Sequence, residues 1–171
     1  MKNTIRDLTH SLHEELESTP FAKAMFEGKL DDWARKDYLA SQRVIFRYLD
    51  EHVPEELHRT PAFDQDIKTL AGAPPTPCIA SHVYHSHLTQ RAKMLGPHIY
   101  VNYMGLLFGG QIMKKNYPTT IYDFDTPIND LRTLIRNEYV DTTPNYVSEA
   151  QIAFQNQIKI FTELGRIHHV G

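Results

Sequence analysis

The chain has 171 residues, 41% hydrophobic and 23% charged, with a formal net charge of -3. That length predicts one domain with a core that needs no staples. The slight acidity excludes a nucleic-acid binder, which needs a basic surface to displace counterions, and the single cysteine, Cys78, excludes an internal disulfide.

Apolar residues recur at helical steps nearly throughout. Ile5, Leu8, Leu12 and Leu16 form a stripe on an N-terminal helix, opened by Thr4 and Asp7 as a capping box and stopped by Pro20. Asp31-Asp32 start a long helix carrying Trp33, Tyr38, Leu39, Ile45, Phe46 and Leu49, which Pro54 ends. Residues 61–71 fit a short helix with Phe63, Ile67 and Leu70 on one face and Gly72 as its stop. Beyond the Pro-rich connection 73–77, residues 79–95 read as a helix closed by Gly96-Pro97. Residues 98–116 form an apolar, glycine-interrupted helix, and 117–126 are the least regular segment. Pro127 opens a helix containing Leu131, Leu134 and Ile135, and a last one runs from about Ser148 through Ile152, Ile158 and Phe161 to Leu164-Gly165. No segment keeps a strand period. The expected fold is all-α: one compact helical domain over 1–171. The opening MKNTIRDLTHS has no signal-peptide core, the nearly apolar stretch 99–108 is too short to span a bilayer, and no hydrophobic anchor precedes Gly171, so a cytoplasmic protein with no membrane partner is expected.

Three features break the pattern. Gly105, Gly109 and Gly110 lie within six positions of an otherwise apolar helix, each costing about 1 kcal/mol relative to alanine. Such a helix either crosses another helix closely or lies against something flat. His13 stands at the edge of the first helix's apolar stripe, with His10 one turn earlier as a rival; each is either a boundary residue or a ligand. Arg6 precedes His13 by seven positions, roughly 10 Å along the same face, and Arg132 and Arg136 form an i, i+4 pair. Guanidinium groups suit carboxylates because their planar fork donates two parallel hydrogen bonds, although any one arginine can equally cover a solvated face. Together these parts meet the needs of a large planar metal-centred ligand with carboxylate tails, and haem is such a ligand.

The sequence resembles the haem oxygenase family. The run Tyr103-Met104-Gly105-Leu106-Leu107-Phe108-Gly109-Gly110-Gln111-Ile112-Met113-Lys114-Lys115 is similar to the family's distal-helix signature, and Leu12-His13-Glu14-Glu15-Leu16-Glu17 to its proximal helix. The stretch from Pro54 to Arg59 with Asp64-Gln65-Asp66, and the end from Glu149 to Leu164, extend the likeness along nearly the whole chain. The resemblance implies haem as cofactor and substrate, opened with O2 and external electrons to biliverdin, iron and carbon monoxide. It places the proximal iron ligand at His13 and not His10. It puts Arg6, Arg132, Arg136 and Tyr100 near the propionates, Gly105, Gly109 and Gly110 on the distal face, and Phe154 around the pocket. Glu17, one turn after His13, is placed to hydrogen-bond near it. No flavin or NAD(P)H motif is present, so a reductase or ferredoxin-type electron donor is implied.

One departure stands out: many members carry an aspartate where this chain has Leu106, and leucine cannot order or relay a proton. Asn102, Gln157 and Arg43 are the polar substitutes nearest to hand. The departure favours an alternative, a haem-binding protein for storage, transfer or sensing without ring opening. A di-iron bundle is disfavoured because Glu55-x-x-His58 has no second copy. His82, His85 and His87, with Cys78 nearby, read as a solvated face before a metal site, and His168-His169 as exposed. No P-loop, Rossmann or nucleophile-elbow motif is present.

Overall fold

The structure is a computed structural model describing residues 4–170, with the side chain of Gln111 outside the described set. Among these described residues eight α-helices follow one another: α1 Ile5–Glu17, α2 Pro20–Phe26, α3 Asp32–Asp50, α4 Thr60–Thr69, α5 Ile79–Gln90, α6 Gly96–Asn116, α7 Ile128–Tyr139 and α8 Pro144–Ile167. Short 3-10 turns lie at Glu55–Leu57 and Ala92–Met94, and no strand occurs among the described residues. None of the helices is long and apolar enough to cross a membrane.

The helix starts follow local chemistry. Thr4 and Asp7 exchange hydrogen bonds of 3.2 and 3.1 Å as the expected capping box. Asp31 accepts from Ala34 N at 2.8 Å to open α3. Proline accounts for the differences from expectation. Pro20 does not merely stop α1: with Thr19 as N-cap it begins α2. Pro144 behind Thr143 begins α8 four residues before Ser148, and Gly96-Pro97 open α6 instead of closing α5. Proline at a first turn forfeits no hydrogen bond and has its φ preset. The expected helix 79–95 breaks after Gln90 into the 3-10 turn. Gly28, at φ +71°, ends α2, with Lys29 N bonding back to Ala24 O at 2.9 Å.

α8 runs through the middle of the packing, touching α1, α2, α3, α5 and α6, while α4 packs on α3 and α7 on α6. Buried residues of every helix join one apolar core. α6 carries apolar residues on more than one face and packs on α7 and α8. Cys78 offers α5 no side-chain cap; the Glu163 carboxylate accepts from Ile79 N and Ala80 N instead, at 2.8 and 2.9 Å. The Pro54–Arg59 stretch is architectural. Asp50 accepts from Arg59 N, Thr60 N and Tyr103 Oη, and the Arg59 guanidinium lies 3.8 Å over the Phe124 ring, holding the irregular segment. His58 bonds to Val53 O, so Glu55-x-x-His58 forms no metal pair. His168 is not exposed: its side chain is 2% accessible, reaches Asp37 at 3.1 Å and meets the Trp33 ring at 4.3 Å.

Candidate functional site

A cavity of about 990 Å³ opens with α1 and α6 as its principal walls, completed by residues of α2, α3, α7 and α8. Ligand pockets for small molecules reach roughly this size. Its lining is mostly apolar, and Phe108 and Ile112 on α6 are 55% and 52% exposed within it. Large apolar side chains left open inside a concave site mark a place where an apolar ligand is taken up.

Gly105 and Gly109 both line the cavity, and a Cβ added to either meets nothing within 4 Å. Among the described residues no helix crosses there, so the close-crossing reading of this pair fails. Gly110 is a correction to the expected trio. It is buried outside the lining, and an added Cβ would stand 3.0 Å from Tyr122 Cβ, so its missing side chain serves packing. Gly105 and Gly109 share a face at i, i+4; Gly110 is turned about 100° further round the helix.

On the facing wall, α1 presents both His10 and His13. Each reaches a glutamate one turn on, His10 to Glu14 at 3.0 Å and His13 to Glu17 at 3.3 Å, in pairs that are more than half exposed. His13 also meets Phe154 of α8 edge to face, with ring centroids 6.0 Å apart. Phe154 itself lines the cavity. Arg6, Tyr100 and Arg136 converge from three helices: burial raises the Tyr100 phenol's pKa, against the opposing charges of Arg136 and Arg6. All three line the cavity. Arg132 does not. Its guanidinium lies 3.8 Å over the Phe108 ring, and its buried Nε has no partner among the described residues.

Leu106 is buried in the same wall, and α6 contributes no carboxylate to the lining. Polar groups enter through Gln42, Asn102 and Gln157. Gln42 and Gln157 pair their amides at 2.7 and 3.0 Å, and Gln157 Nε2 donates to Asn102 Oδ1 at 2.8 Å. Asn102 Nδ2 donates to Tyr84 Oη at 2.9 Å, and Tyr84 lies 2.7 Å from His98 Nδ1. His98 Nε2 and His87 Nε2 then converge on Glu149 Oε1 at 2.8 and 2.5 Å. His87 is thus turned inward and leaves the expected solvated face. Burial lowers the pKa of His98. Burial would raise that of Glu149, but the hydrogen bonds from His98 and His87 outweigh it and hold the carboxyl below its usual range.

Arg43 is not part of this network; it pairs with Asp64 of α4. The residues missed at the sequence level are Gln42, Tyr84, His98 and Glu149. Gln42 carried a signal, since it occupies an apolar-face position in the series Tyr38, Gln42, Ile45, Leu49 of α3.

A family model described as "Heme oxygenase" matches residues 1–163. The chain belongs to the haem oxygenase family. The heme oxygenase of Porphyra purpurea is 26% identical, with 96% of this chain and 86% of that protein covered. Human heme oxygenase 1 is also 26% identical, with 96% of this chain and 71% of the relative covered. The fold matches the heme oxygenase of Leptospira interrogans at a TM-score of 0.82 and 23% identity, over 93% of this chain and 97% of that one. It matches heme oxygenase-1 of Synechocystis sp. PCC6803, solved in complex with heme, at a TM-score of 0.84 and 22% identity, over 96% and 92%. In this chain Leu106 and the amide network of Gln42, Gln157 and Asn102 line the same cavity.

Proposed function

We propose that the chain, as a single domain, takes haem into this cavity and opens its ring with O2 and external electrons, giving biliverdin, iron and carbon monoxide. The carrying observation is the 990 Å³ cavity that has both His13 and the side-chain-free faces of Gly105 and Gly109 in its walls. The residues fit such a group: an imidazole, a bare helix face for a flat macrocycle, and two guanidinium groups with a phenol for carboxylates. When bound, the haem supplies the iron at which O2 is reduced and the ring that is oxidised.

His13 would hold the iron of such a group, and its exposed contact with Glu17, worth about 0–1 kcal/mol, would be a small cost to give up. Arg6, Arg136 and Tyr100 orient the carboxylate tails and so fix which edge of the ring faces inward. Arg132 steadies the Phe108 wall. The electrons come from a reductase or ferredoxin-type partner.

Leu106 favours a second reading, a haem-binding protein without turnover. One measurement separates the two: the absorption spectrum of the hemin-loaded chain during reduction under air. Loss of the Soret band with growth of a biliverdin band is the expected result. A persistent Soret band supports the binder, and no hemin uptake overturns both.

A further inference from the structure

The amides behind Leu106 can be counted hydrogen by hydrogen. Asn102 Nδ2 spends one hydrogen on Tyr84 Oη at 2.9 Å and the other on the His98 carbonyl at 2.8 Å. Gln157 Nε2 spends both, on Gln42 Oε1 at 3.0 Å and Asn102 Oδ1 at 2.8 Å. Gln42 Nε2 spends one, on Gln157 Oε1 at 2.7 Å. Its second hydrogen has no partner among the described residues, on a side chain that lines the cavity yet is buried to 4% exposure.

The direction of these bonds is fixed from afar. A backbone carbonyl can only accept, so the nitrogen of Asn102 must face His98 O and its oxygen must face Gln157. Gln157 then turns its nitrogen to Asn102 and its oxygen to Gln42, which must answer with nitrogen. On the other side, the Tyr84 hydroxyl accepts from Asn102 and donates to His98 Nδ1, leaving the imidazole proton on Nε2 for Glu149. Rotating the Gln42 amide would set two oxygens against each other across the Gln157 pair.

Resting on the haem reading above, we propose that Gln42 is the hydrogen-bond donor of the distal cavity, offering its free N–H to a small ligand on the haem iron in place of the polar contact that Leu106 cannot make. A neutral amide holds such a ligand without surrendering a proton. Gln42 therefore orients and stabilises, and Gln157 is a positioning residue that aims it.

The test uses the full chain loaded with hemin, with fluoride as the probe of the ferric form and carbon monoxide as the probe of the ferrous form. Fluoride is an anion that accepts hydrogen bonds strongly, and carbon monoxide gains little from a donor, so the ratio of the two affinities reports the donor and not a general disturbance of the cavity. Gln42→Leu is expected to lower that ratio about tenfold or more, the loss of one hydrogen bond to a charged acceptor. Gln157→Leu, which unclamps the Gln42 amide, lowers it by a smaller factor. Gln42→Met serves if the leucine variant does not fold. A ratio within about twofold of wild type in a hemin-loaded Gln42 variant overturns the assignment of Gln42 and leaves the haem reading standing; a wild-type chain that takes up no hemin overturns the haem reading itself.

Discussion

Histidine–glutamate pairs occur in two settings in this molecule, exposed and buried, with opposite consequences. His13 and Glu17 meet at 3.3 Å on the surface of α1, both about half exposed. His98 and Glu149 meet at 2.8 Å between α6 and α8, with the histidine at 0% and the glutamate at 9% exposure. The exposed pair is worth about 0–1 kcal/mol, so its imidazole is free to exchange partners. The buried pair cannot open without leaving a polar group unsatisfied in a place water does not reach. Availability as a ligand thus depends on how cheaply a histidine parts from its neighbour. That property belongs to burial, not to residue type or spacing.

The sharpest way to break the comparison is to remove the exposed imidazoles one at a time. His13→Ala is expected to abolish the imidazole-ligated spectrum of the hemin complex, while His10→Ala leaves most of it, because His13 also has the Phe154 ring against it. Apoprotein stability should change by less than about 1 kcal/mol in both, as for exposed helix positions. The reverse spectral pattern would move the ligand to His10.

The buried pair should behave in the opposite way. Glu149→Leu strands the Nε2 hydrogens of His87 and His98 and is expected to destabilise the apoprotein by about 1–3 kcal/mol in urea unfolding. A loss under 1 kcal/mol would show that the network contributes little. The pH dependence follows from the shifts. Burial lowers the pKa of His98, so the unfolded chain binds its proton more readily, and stability declines as pH falls below about 6.5. Glu149 is opposed by burial but held down by its two imidazoles. Its contribution is full above about 4.3 and is lost as pH falls through its lower folded value. Thermal melts of wild type should therefore decline in two stages on acidification, and Glu149→Gln should weaken the lower stage.

This contrast also separates what was legible in the sequence from what was not. The capping box at Thr4, the stripe that puts His13 on the cavity side of α1, and the Gly105–Gly109 spacing depend on neighbours within a turn or two, so local pattern reveals them. The starts of α2 and α8 were misread because proline carries two meanings, a stop inside a helix and an opening at its first turn. Gln42 and Gln157 are separated by 115 positions. A polar residue on an apolar face signals that it has a partner, but nothing local says which one. Arg132 shows the same limit. Its i, i+4 relation to Arg136 is real, yet one helical turn carries it from the cavity to the back of Phe108.

The glycines of α6 give the smallest effect and the finest discrimination. Gly109→Ala adds a methyl where nothing lies within 4 Å, so the only consequence for the empty protein is the removal of a poor helix former. It should gain about 1 kcal/mol of stability. The same methyl intrudes on the face proposed to carry the macrocycle, so hemin affinity should fall while stability rises. Gly110→Ala sets its methyl 3.0 Å from Tyr122 Cβ, and Tyr122 is buried and cannot retreat freely. That variant should lose stability despite the same gain in helix propensity. Urea unfolding and hemin titration of both variants check the signs. If Gly109→Ala gained stability with undiminished hemin affinity, the bare face of α6 would not be the surface the ligand rests on, however well the rest of the cavity suited it.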